Sequence, residues 1–353
     1  MNIQILETQL ISSSPSTLQF DPLPLSHLDN DANLRIPFRT LRAFSGDSSQ
    51  STADPSATIA AALSKALTFY RPLAASLRSD PSNFHLHSHL SSPAEVLLVI
   101  ASASDPLHAV LRLFDAEPGS PILDRLAPDA NPDEALARPL ALQITRFACG
   151  GFALGMCVHH ALCDGAGASQ FLAARIKAKK LDGREVVKFV YSMSIKKIVI
   201  PQLPSGYWGN SCVPVYIQST AKELLEKPLW KIAMEIKKSK EQVTNKYLRS
   251  FIDFQELHYE KGITAGKEVS AFTDWRHLGH SEVDFGWGSS IAVSPLSWRL
   301  LGSNEPSFLL PYAESEGEKR DGFRVLVCLP MDAMALFRLE MEIFGECKFK
   351  VCL

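Results

Sequence analysis

Apolar positions recur at two different spacings along the chain and predict alternating helices and strands. From Ala57 to Tyr70 they fall three or four residues apart, the spacing of an amphipathic helix, and Pro72 ends it. From Leu140 to Phe147 the residues Leu140, Leu142 and Ile144 alternate with Ala141, Gln143 and Thr145, which predicts a strand. Glu95 to Ala101 is apolar enough to predict a second, buried strand.

The stretch after Phe147 predicts a β-hairpin. Cys149-Gly-Gly151 turns the chain, and residues 152–158 are wholly apolar, as expected of a strand that is covered on both faces. His159 and His160 follow directly. The sequence therefore places two imidazoles at the exit of a buried strand.

The second half of the chain repeats the alternation and indicates an α/β protein. The predicted elements are a helix from Ala166 to Lys180, a strand from Val186 to Met193, a loop from Pro201 to Asn210, a helical stretch from Thr220 to Leu248 interrupted at Lys227-Pro228, strands at Phe308–Leu310 and Phe323–Leu329, and a helix that begins near Met331.

Size and charge narrow the function classes. The chain has 353 residues, 46% of them hydrophobic, which suits two domains better than one. Its 36 basic and 38 acidic residues form no long run of one sign, so neither nucleic acid nor an anionic membrane surface is an expected partner. No segment has the roughly 18 apolar residues that a membrane span needs.

The N-terminus and the cysteines indicate a cytosolic address. Residues 1–10 lack the basic lead and the continuous apolar stretch of an export signal. The seven cysteines are odd in number and form no CxxC pair, which favours reduced thiols over a disulfide framework or a zinc site. We expect a cytoplasmic monomer.

The strongest chemical signal is His159-His160-Ala-Leu-Cys-Asp164-Gly165 at the strand exit. An imidazole that titrates near neutrality takes a proton from a hydroxyl or amine without a metal, so His160 is a candidate general base. Two other interpretations stay open. The histidines and Asp164 would simply close and cap the start of a helix, or His160 and Asp164 would share a metal for which no third ligand is visible.

A second signal is Asp284-Phe-Gly-Trp-Gly288, which by itself predicts a tight turn around a buried indole. The chain has no phosphate-binding GxGxxG or GxxxxGK[ST] loop and no GxSxG elbow. Nucleotide hydrolysis and serine-hydrolase chemistry are disfavoured accordingly.

In their order and separation, the two motifs resemble the HxxxD and DFGWG signatures of the plant BAHD acyltransferases. Three further segments are similar to that family: residues 23–29, residues 63–77 and residues 203–210. The resemblance covers nearly the whole chain apart from the extreme C-terminus.

This resemblance implies two domains related to chloramphenicol acetyltransferase, each with a mixed β-sheet and flanking helices, at residues 1–181 and 182–353. A channel between them would admit acyl-CoA from one face and a small-molecule acceptor from the other. His160 would deprotonate the acceptor, an alcohol or amine, which attacks the thioester directly. Acyl-CoA would be a co-substrate, with no permanently bound cofactor or metal.

The resemblance also assigns roles to the remaining candidate residues. It implies that Asp164 and Gly165 shape the backbone beside the base. It gives a structural role to the second motif, which consists of Asp284, Phe285, Gly286, Trp287 and Gly288. Thr273 would help to stabilise the oxyanion and Trp275 would line the acceptor side.

The chain departs from the family pattern at Ala174. There the family continues into a long crossover that joins the domains, whereas this chain passes directly to Arg175-Ile-Lys-Ala-Lys-Lys-Leu181. An internally shortened member is therefore expected. Its alternative function is that of a catalytically impaired binding or interaction protein, and the discriminating feature is whether both channel halves still meet at His160.

Overall fold

The computed structural model describes residues 1–13, 23–46, 54–67, 71–80, 86–89, 95–116, 119–162, 184–205, 207, 209–258, 269–279, 284–297, 302–303, 305–311 and 323–342. Asp164, Gly165, the predicted helix at residues 166–180 and the junction at Ala174 lie outside these residues. Among the described residues, no helix is long and apolar enough to span a membrane.

Strands and helices alternate along the described chain. The strands are β1 (Ile3–Ser12), β2 (Leu23–Pro24), β3 (Pro37–Phe44), β4 (Ser76–Ser79), β5 (Leu86–His89), β6 (Glu95–Ala103), β7 (Leu140–Phe147), β8 (Phe152–His159), β9 (Val186–Ser194), β10 (Cys212–Thr220), β11 (Ser270–Asp274), β12 (Ala292–Pro295), β13 (Glu305–Pro311) and β14 (Phe323–Val327). The α-helices are α1 (Pro55–Ala66), α2 (Leu107–Ala116), α3 (Pro121–Asp124), α4 (Pro132–Ala137), α5 (Ala221–Glu226), α6 (Leu229–Glu241), α7 (Asn245–Leu257) and α8 (Met331–Glu342). Short 3-10 helices cover Ala32–Leu34, Arg71–Ala74 and His160–Leu162.

Two mixed sheets organise the fold. The larger has the strand order β1-β6-β7-β8-β3-β12 and is antiparallel except for the β6–β7 pair. The smaller has the order β10-β9-β11-β13-β14, in which β11 is parallel to both of its neighbours. A further sheet of three short strands has the order β2-β5-β4. The predicted α/β class with mixed sheets and flanking helices is confirmed.

Both faces of the larger sheet are covered. Phe152 and Leu154 of β8 share one buried cluster with Ile59 of α1, and the intervening Ala153 belongs to a second cluster with Phe114 of α2. Successive side chains of a strand point to opposite faces, so a strand covered on both sides has to be apolar throughout. Strands β7 and β8 pair in antiparallel orientation, which confirms the predicted hairpin.

The smaller sheet is covered by helices from the second half of the chain. Phe189 and Tyr191 of β9 share a buried cluster with Ile232 and Ile236 of α6 and with Phe337 of α8. These helices present an apolar stripe to the sheet and leave charged residues outside, which is the expected arrangement for a surface helix.

The predicted helical stretch from Thr220 to Leu248 divides into three helices. The interruption at Lys227-Pro228 is confirmed. A second break, which the pattern did not predict, falls before α7, where the Thr244 hydroxyl accepts a hydrogen bond from the Tyr247 N–H at 3.3 Å. A threonine that caps a new helix in this way satisfies an N–H that has no partner within the helix.

The two halves of the chain interlock. Strand β12 follows the second motif in sequence but joins the larger sheet, where Ala292 pairs with Ala43 of β3. In addition, Arg324 of β14 donates to the carbonyl oxygen of Val293 at 2.7 Å and so connects the smaller sheet to the larger one. Residues 182–353 thus supply a strand to a sheet otherwise built from residues 1–181.

Gly155 of β8 provides a direct test of this packing. An added Cβ at Gly155 would overlap the Leu126 carbonyl oxygen and lie 2.5 Å from the Ala127 Cα, both of which are backbone atoms that cannot move independently. We expect Gly155→Ala to lower the free energy of unfolding by about 1–3 kcal/mol, measured by urea denaturation. The control is Gly119→Ala, whose Cβ would have no neighbour within 4 Å. Equal stability of the two variants would refute this account of the packing around β8.

Candidate active site

His160 lies at the end of the larger sheet, immediately after β8. Its backbone N–H donates to the carbonyl oxygen of Ile36 at 2.9 Å, and the N–H of His159 donates to the carbonyl oxygen of Pro139 at 2.7 Å. Ile36 precedes β3 and Pro139 precedes β7, so the strands on both sides of β8 hold the candidate base. Its backbone is part of a fixed sheet edge and not of a free loop.

The imidazole of His160 packs edge-on against Phe38, with ring centroids 5.3 Å apart and an interplanar angle of 85°. Phe38 also contacts the indole of Trp275, with ring centroids 5.8 Å apart. Trp275 in turn packs against Phe308 of β13 at 5.5 Å. One phenyl ring therefore lies against both the candidate base of the first half of the chain and an indole of the second half.

A hydrogen-bonded group fixes the carbonyl of His160. The side-chain Nδ2 of Asn210 donates to the His160 carbonyl oxygen at 3.0 Å and to Asp29 Oδ1 at 2.9 Å, and its backbone N–H donates to the same Oδ1 at 2.7 Å. Asp29 Oδ2 accepts from the Ser26 hydroxyl at 2.6 Å. Burial raises the pKa of Asp29, while the hydrogen bonds from Ser26 and Asn210 act in the opposite direction.

His159 differs sharply from its neighbour in environment. Its side chain is buried, with its Nδ1 hydrogen-bonded to no described residue, and burial lowers its pKa to about 4, helped by the nearby His160 and Arg35. His159 is therefore neutral at physiological pH. Of the two adjacent histidines, only His160 is partly exposed.

Thr273 and Trp275 lie at the end of β11. Thr273 is buried and pairs with Phe308 of β13. The N–H of Trp275 donates to the Leu309 carbonyl oxygen at 2.7 Å. The Nε and Nη2 of Arg276 donate to Asp274 Oδ1 and Oδ2 at 2.9 and 2.7 Å, which fixes the turn that carries the indole. The structure thus brings Trp275 together with His160 through Phe38.

The second motif forms the predicted turn at the opposite end of β8. Asp284 Oδ1 accepts from the N–H groups of Gly286 and Gly288, both of which have positive φ angles (101° and 81°). The indole of Trp287 is buried against Phe152, 5.5 Å between ring centroids.

The ring of Phe285 lies 6.0 Å from that of Phe44. Phe152 is the first residue of β8 and His160 follows its last, so about 25 Å of strand separate this motif from the candidate base.

The sequence reasoning missed three residues of the site: Phe38, Asp29 and Asn210. Two of them lie in segments that resemble the family, residues 23–29 and 203–210, so their position was marked but their role was not. Their meeting at His160 depends on a contact between residues 181 positions apart, which local patterns do not show. Among the described residues, no group of three or more His, Cys, Asp or Glu side chains lies close enough to hold a metal.

Comparisons with known proteins place this geometry in a family. A sequence profile of the Transferase family matches residues 1–175 and 173–344. The chain is 27% identical to a taxadien-5-alpha-ol O-acetyltransferase of Taxus cuspidata, over 97% of each chain. It is 25% identical to a spermidine coumaroyl-CoA acyltransferase of Arabidopsis thaliana, over 97% of this chain and 95% of the other. Among solved structures, vinorine synthase aligns with a TM-score of 0.73 at 19% identity, over 95% and 96% of the two chains.

Two mixed sheets with flanking helices are the fold that this chain shares with vinorine synthase. The chain belongs to the Transferase family, the family of the plant BAHD acyltransferases, and is an acyltransferase.

The comparisons also bear on the missing crossover. The match to the taxadienol acetyltransferase extends over 435 aligned positions, against 353 residues in this chain, so at least 82 of those positions have no counterpart here. The two segments matched by the family profile meet at residues 173–175, where the sequence analysis expects the crossover to be absent.

Trp287 gives a test of the role of the second motif. We expect Trp287→Ala to lower the free energy of unfolding by about 3–5 kcal/mol, because it empties a buried site between the turn and β8. The matched control is Trp230→Ala, since the Trp230 side chain is 64% exposed and its loss should change stability by no more than about 0.5 kcal/mol. Chemical denaturation measures both values, and a Trp287→Ala variant as stable as its control would show that the motif does not brace the sheet.

His159 makes stability depend on pH. In the folded chain its pKa is about 4, below the ordinary 6.5, so the unfolded chain binds a proton in this range while the folded chain does not. The contribution to the free energy of unfolding should be constant above pH 6.5 and fall by roughly 3 kcal/mol between pH 6.5 and pH 4.

His159→Gln should remove that part of the pH dependence, as followed by denaturation at several pH values. His108→Gln, at an exposed position, should retain it. If the His159→Gln variant keeps the full slope between pH 6.5 and pH 4, another group is responsible.

Proposed function

We propose that this chain transfers an acyl group from acyl-CoA to a hydroxyl or amine of a small plant metabolite, with His160 as the general base. The observation that carries the proposal is that both halves of the chain meet at His160. Asn210 donates to its carbonyl oxygen, and Phe38 lies between its imidazole and the indole of Trp275. This contact between the two halves at His160 is the feature that separates an active enzyme from an impaired one, and it favours an active enzyme.

The chemistry follows from a half-buried imidazole at a fixed sheet edge. His160 accepts the proton of the acceptor O–H or N–H as the oxygen or nitrogen attacks the thioester carbon. The tetrahedral intermediate then expels the thiolate of coenzyme A, which takes the proton back from the imidazolium. The acyl group passes directly to the acceptor, so no acyl-enzyme forms.

Other residues support this step in the proposal. The hydroxyl of Thr273 contributes to stabilising the oxyanion, and Trp275 lines the acceptor side. Asp164 shapes the backbone beside the base and does not relay protons. The segment from Asp284 to Gly288 braces the far end of β8, consistent with its distance from His160.

The names of the relatives indicate substrate classes to test. One is an O-acetyltransferase of taxadien-5-alpha-ol and another a coumaroyl-CoA acyltransferase of spermidine. By analogy, the acceptor of this chain would be a terpenoid alcohol or a polyamine. Acyl-CoA serves as co-substrate with no permanently bound cofactor, and the chain acts as a cytoplasmic monomer.

A second candidate function is that of an impaired member that binds acyl-CoA or a partner without efficient transfer. The observation that favours it is the absence of at least 82 aligned positions of the taxadienol acetyltransferase match. A site without its full wall admits water, which weakens the stabilisation of the oxyanion and competes with the acceptor. This candidate predicts slow hydrolysis of acyl-CoA as the highest activity.

Replacement of the base tests the proposal. We expect His160→Ala to lower the rate of free thiol release from acyl-CoA in the presence of acceptor by roughly two to four orders of magnitude, the range for a lost general base. His108→Ala, an exposed histidine of α2, should keep the parent rate. A chelator should leave the parent rate unchanged. Thiol release by His160→Ala at the parent rate would remove His160 from the chemistry.

A further inference from the structure

All the N–H groups of Asn210 donate hydrogen bonds, and one of them reaches His160. The side-chain nitrogen of Asn210 has two N–H bonds, directed to Asp29 Oδ1 and to the His160 carbonyl oxygen. Both partners only accept, so the orientation of the amide is fixed. The backbone N–H of Asn210 makes a third bond, also to Asp29 Oδ1.

Asp29 is also held by hydrogen bonds to Ser26, independently of Asn210. Its Oδ2 accepts from the hydroxyl and the N–H of Ser26, at 2.6 and 3.3 Å, while the Ser26 hydroxyl accepts from the Asp29 N–H at 3.1 Å. The two carboxylate oxygens thus have separate partners, Ser26 on one side and Asn210 on the other. A carboxylate arranged in this way presents Oδ1 in one direction only.

Burial strengthens the hydrogen bonds between Asp29 and Asn210. Asn210 is 2% exposed and Asp29 is 6% exposed, so water does not compete for these bonds. In such surroundings a hydrogen bond to an ionised group is stronger than in water, and its loss leaves a buried polar group without a partner. Movement of Asn210 away from His160 would therefore break several bonds at once.

We propose that Asn210, oriented by Asp29, is a positioning residue that fixes the backbone of His160 and thereby the place of the base. This inference rests on the proposed role of His160. The N–H of His160 is held by Ile36 from within the same half of the chain, and its carbonyl by Asn210 from the other half. The two bonds fix the backbone from which the side chain of His160 extends. The edge contact with Phe38 then orients its imidazole ring.

The inference explains how the base keeps its place in a shortened chain. Ser26, Asp29 and Asn210 all lie outside the junction at residues 173–175, where the two profile matches meet. The positioning of His160 therefore depends on residues that the shortening leaves intact. The position of His160 is therefore independent of the segment that this chain lacks.

The experiment compares Asn210→Ala with Asn30→Ala. Asn30 is the matched control because it is a buried asparagine next to Asp29 whose side chain is also hydrogen-bonded, to the carbonyl oxygens of Leu25 and Ser26 and from the Leu86 N–H. Those bonds do not reach His160. Loss of fold stability is common to both variants, whereas displacement of the base is specific to Asn210→Ala.

The first readout separates kcat from KM. For Asn210→Ala we expect kcat to fall about 10- to 100-fold, the effect of displacing a catalytic group by about 1 Å, with KM for acyl-CoA changed less than about threefold. Asn30→Ala should keep kcat within about threefold. Equal losses of kcat in the two variants would show that Asn210 acts only through stability, and would overturn the inference.

The second readout does not depend on activity. In protein labelled with 15N-histidine, the imidazole signals of His160 are identified by their absence in His160→Gln. They should shift in Asn210→Ala and stay in place in Asn30→Ala. Unchanged His160 signals in Asn210→Ala overturn the positioning role. Shifted signals in a protein whose rate does not depend on His160 support the positioning role and reject the proposed function.

If Asn210→Ala does not fold, Asp29→Asn serves in its place. The amide oxygen of the new side chain still accepts from Asn210 but lacks the charge, so an intermediate loss of kcat and a smaller shift of the His160 signals are expected. A parent-like kcat with parent-like His160 signals in that variant would count against the role of Asp29.

Discussion

Strand β3 is the element on which the rest of the site depends. It lies between β8, which ends at His160, and β12, which comes from the second half of the chain. It also carries Phe38, the ring that contacts both His160 and Trp275. Because a strand between two neighbours is fixed on both edges by hydrogen bonds, the base and the indole have a common rigid reference.

The position of the two histidines at this sheet edge sets how far each is buried. The sheet edge buries His159 so thoroughly that its imidazole stays neutral, and it leaves His160 half-buried. Two adjacent residues of one type thus acquire different roles from their surroundings alone. The buried Asp29 and Asn210 add a polar connection between the halves where an apolar contact would leave the His160 carbonyl unsatisfied.

The sequence predicted the parts of the fold that have strong local patterns. The hairpin of β7 and β8, the helix-interrupting Lys227-Pro228 and the turn around Trp287 all follow from apolar spacing or from glycine and proline. Strand β1 was not predicted, because it is an edge strand in which only Ile3 is fully buried and polar residues interrupt the apolar ones.

The site was predicted in part for the same reason. His160 stands out because it follows an apolar strand, and the motif of Asp284 because glycines flank an indole. The contact of Asp29 with Asn210 joins residues 181 positions apart, and the pairing of β12 with β3 is similarly remote. Such contacts are set by the three-dimensional fold, and no spacing within the sequence encodes them.

Shortening of the chain affects the position of His160 and the covering of its surroundings differently. His160 is held by residues on both sides of the junction. In the proposed function, exclusion of water depends instead on what covers the acceptor side. If the proposed function holds, the balance between transfer and hydrolysis is the property most sensitive to the at least 82 aligned positions that this chain lacks.

The most direct test of the central claim is the yield of acylated acceptor per molecule of coenzyme A released by the unmodified chain. The assay supplies coumaroyl-CoA with spermidine, and acetyl-CoA with taxadien-5-alpha-ol, and measures product by mass spectrometry and coenzyme A by its free thiol. With an acceptor that the chain uses, we expect nearly every thiol released to be matched by one acylated acceptor. Thiol release with only free carboxylic acid as product, for these and a pooled extract of plant acceptors, would contradict it.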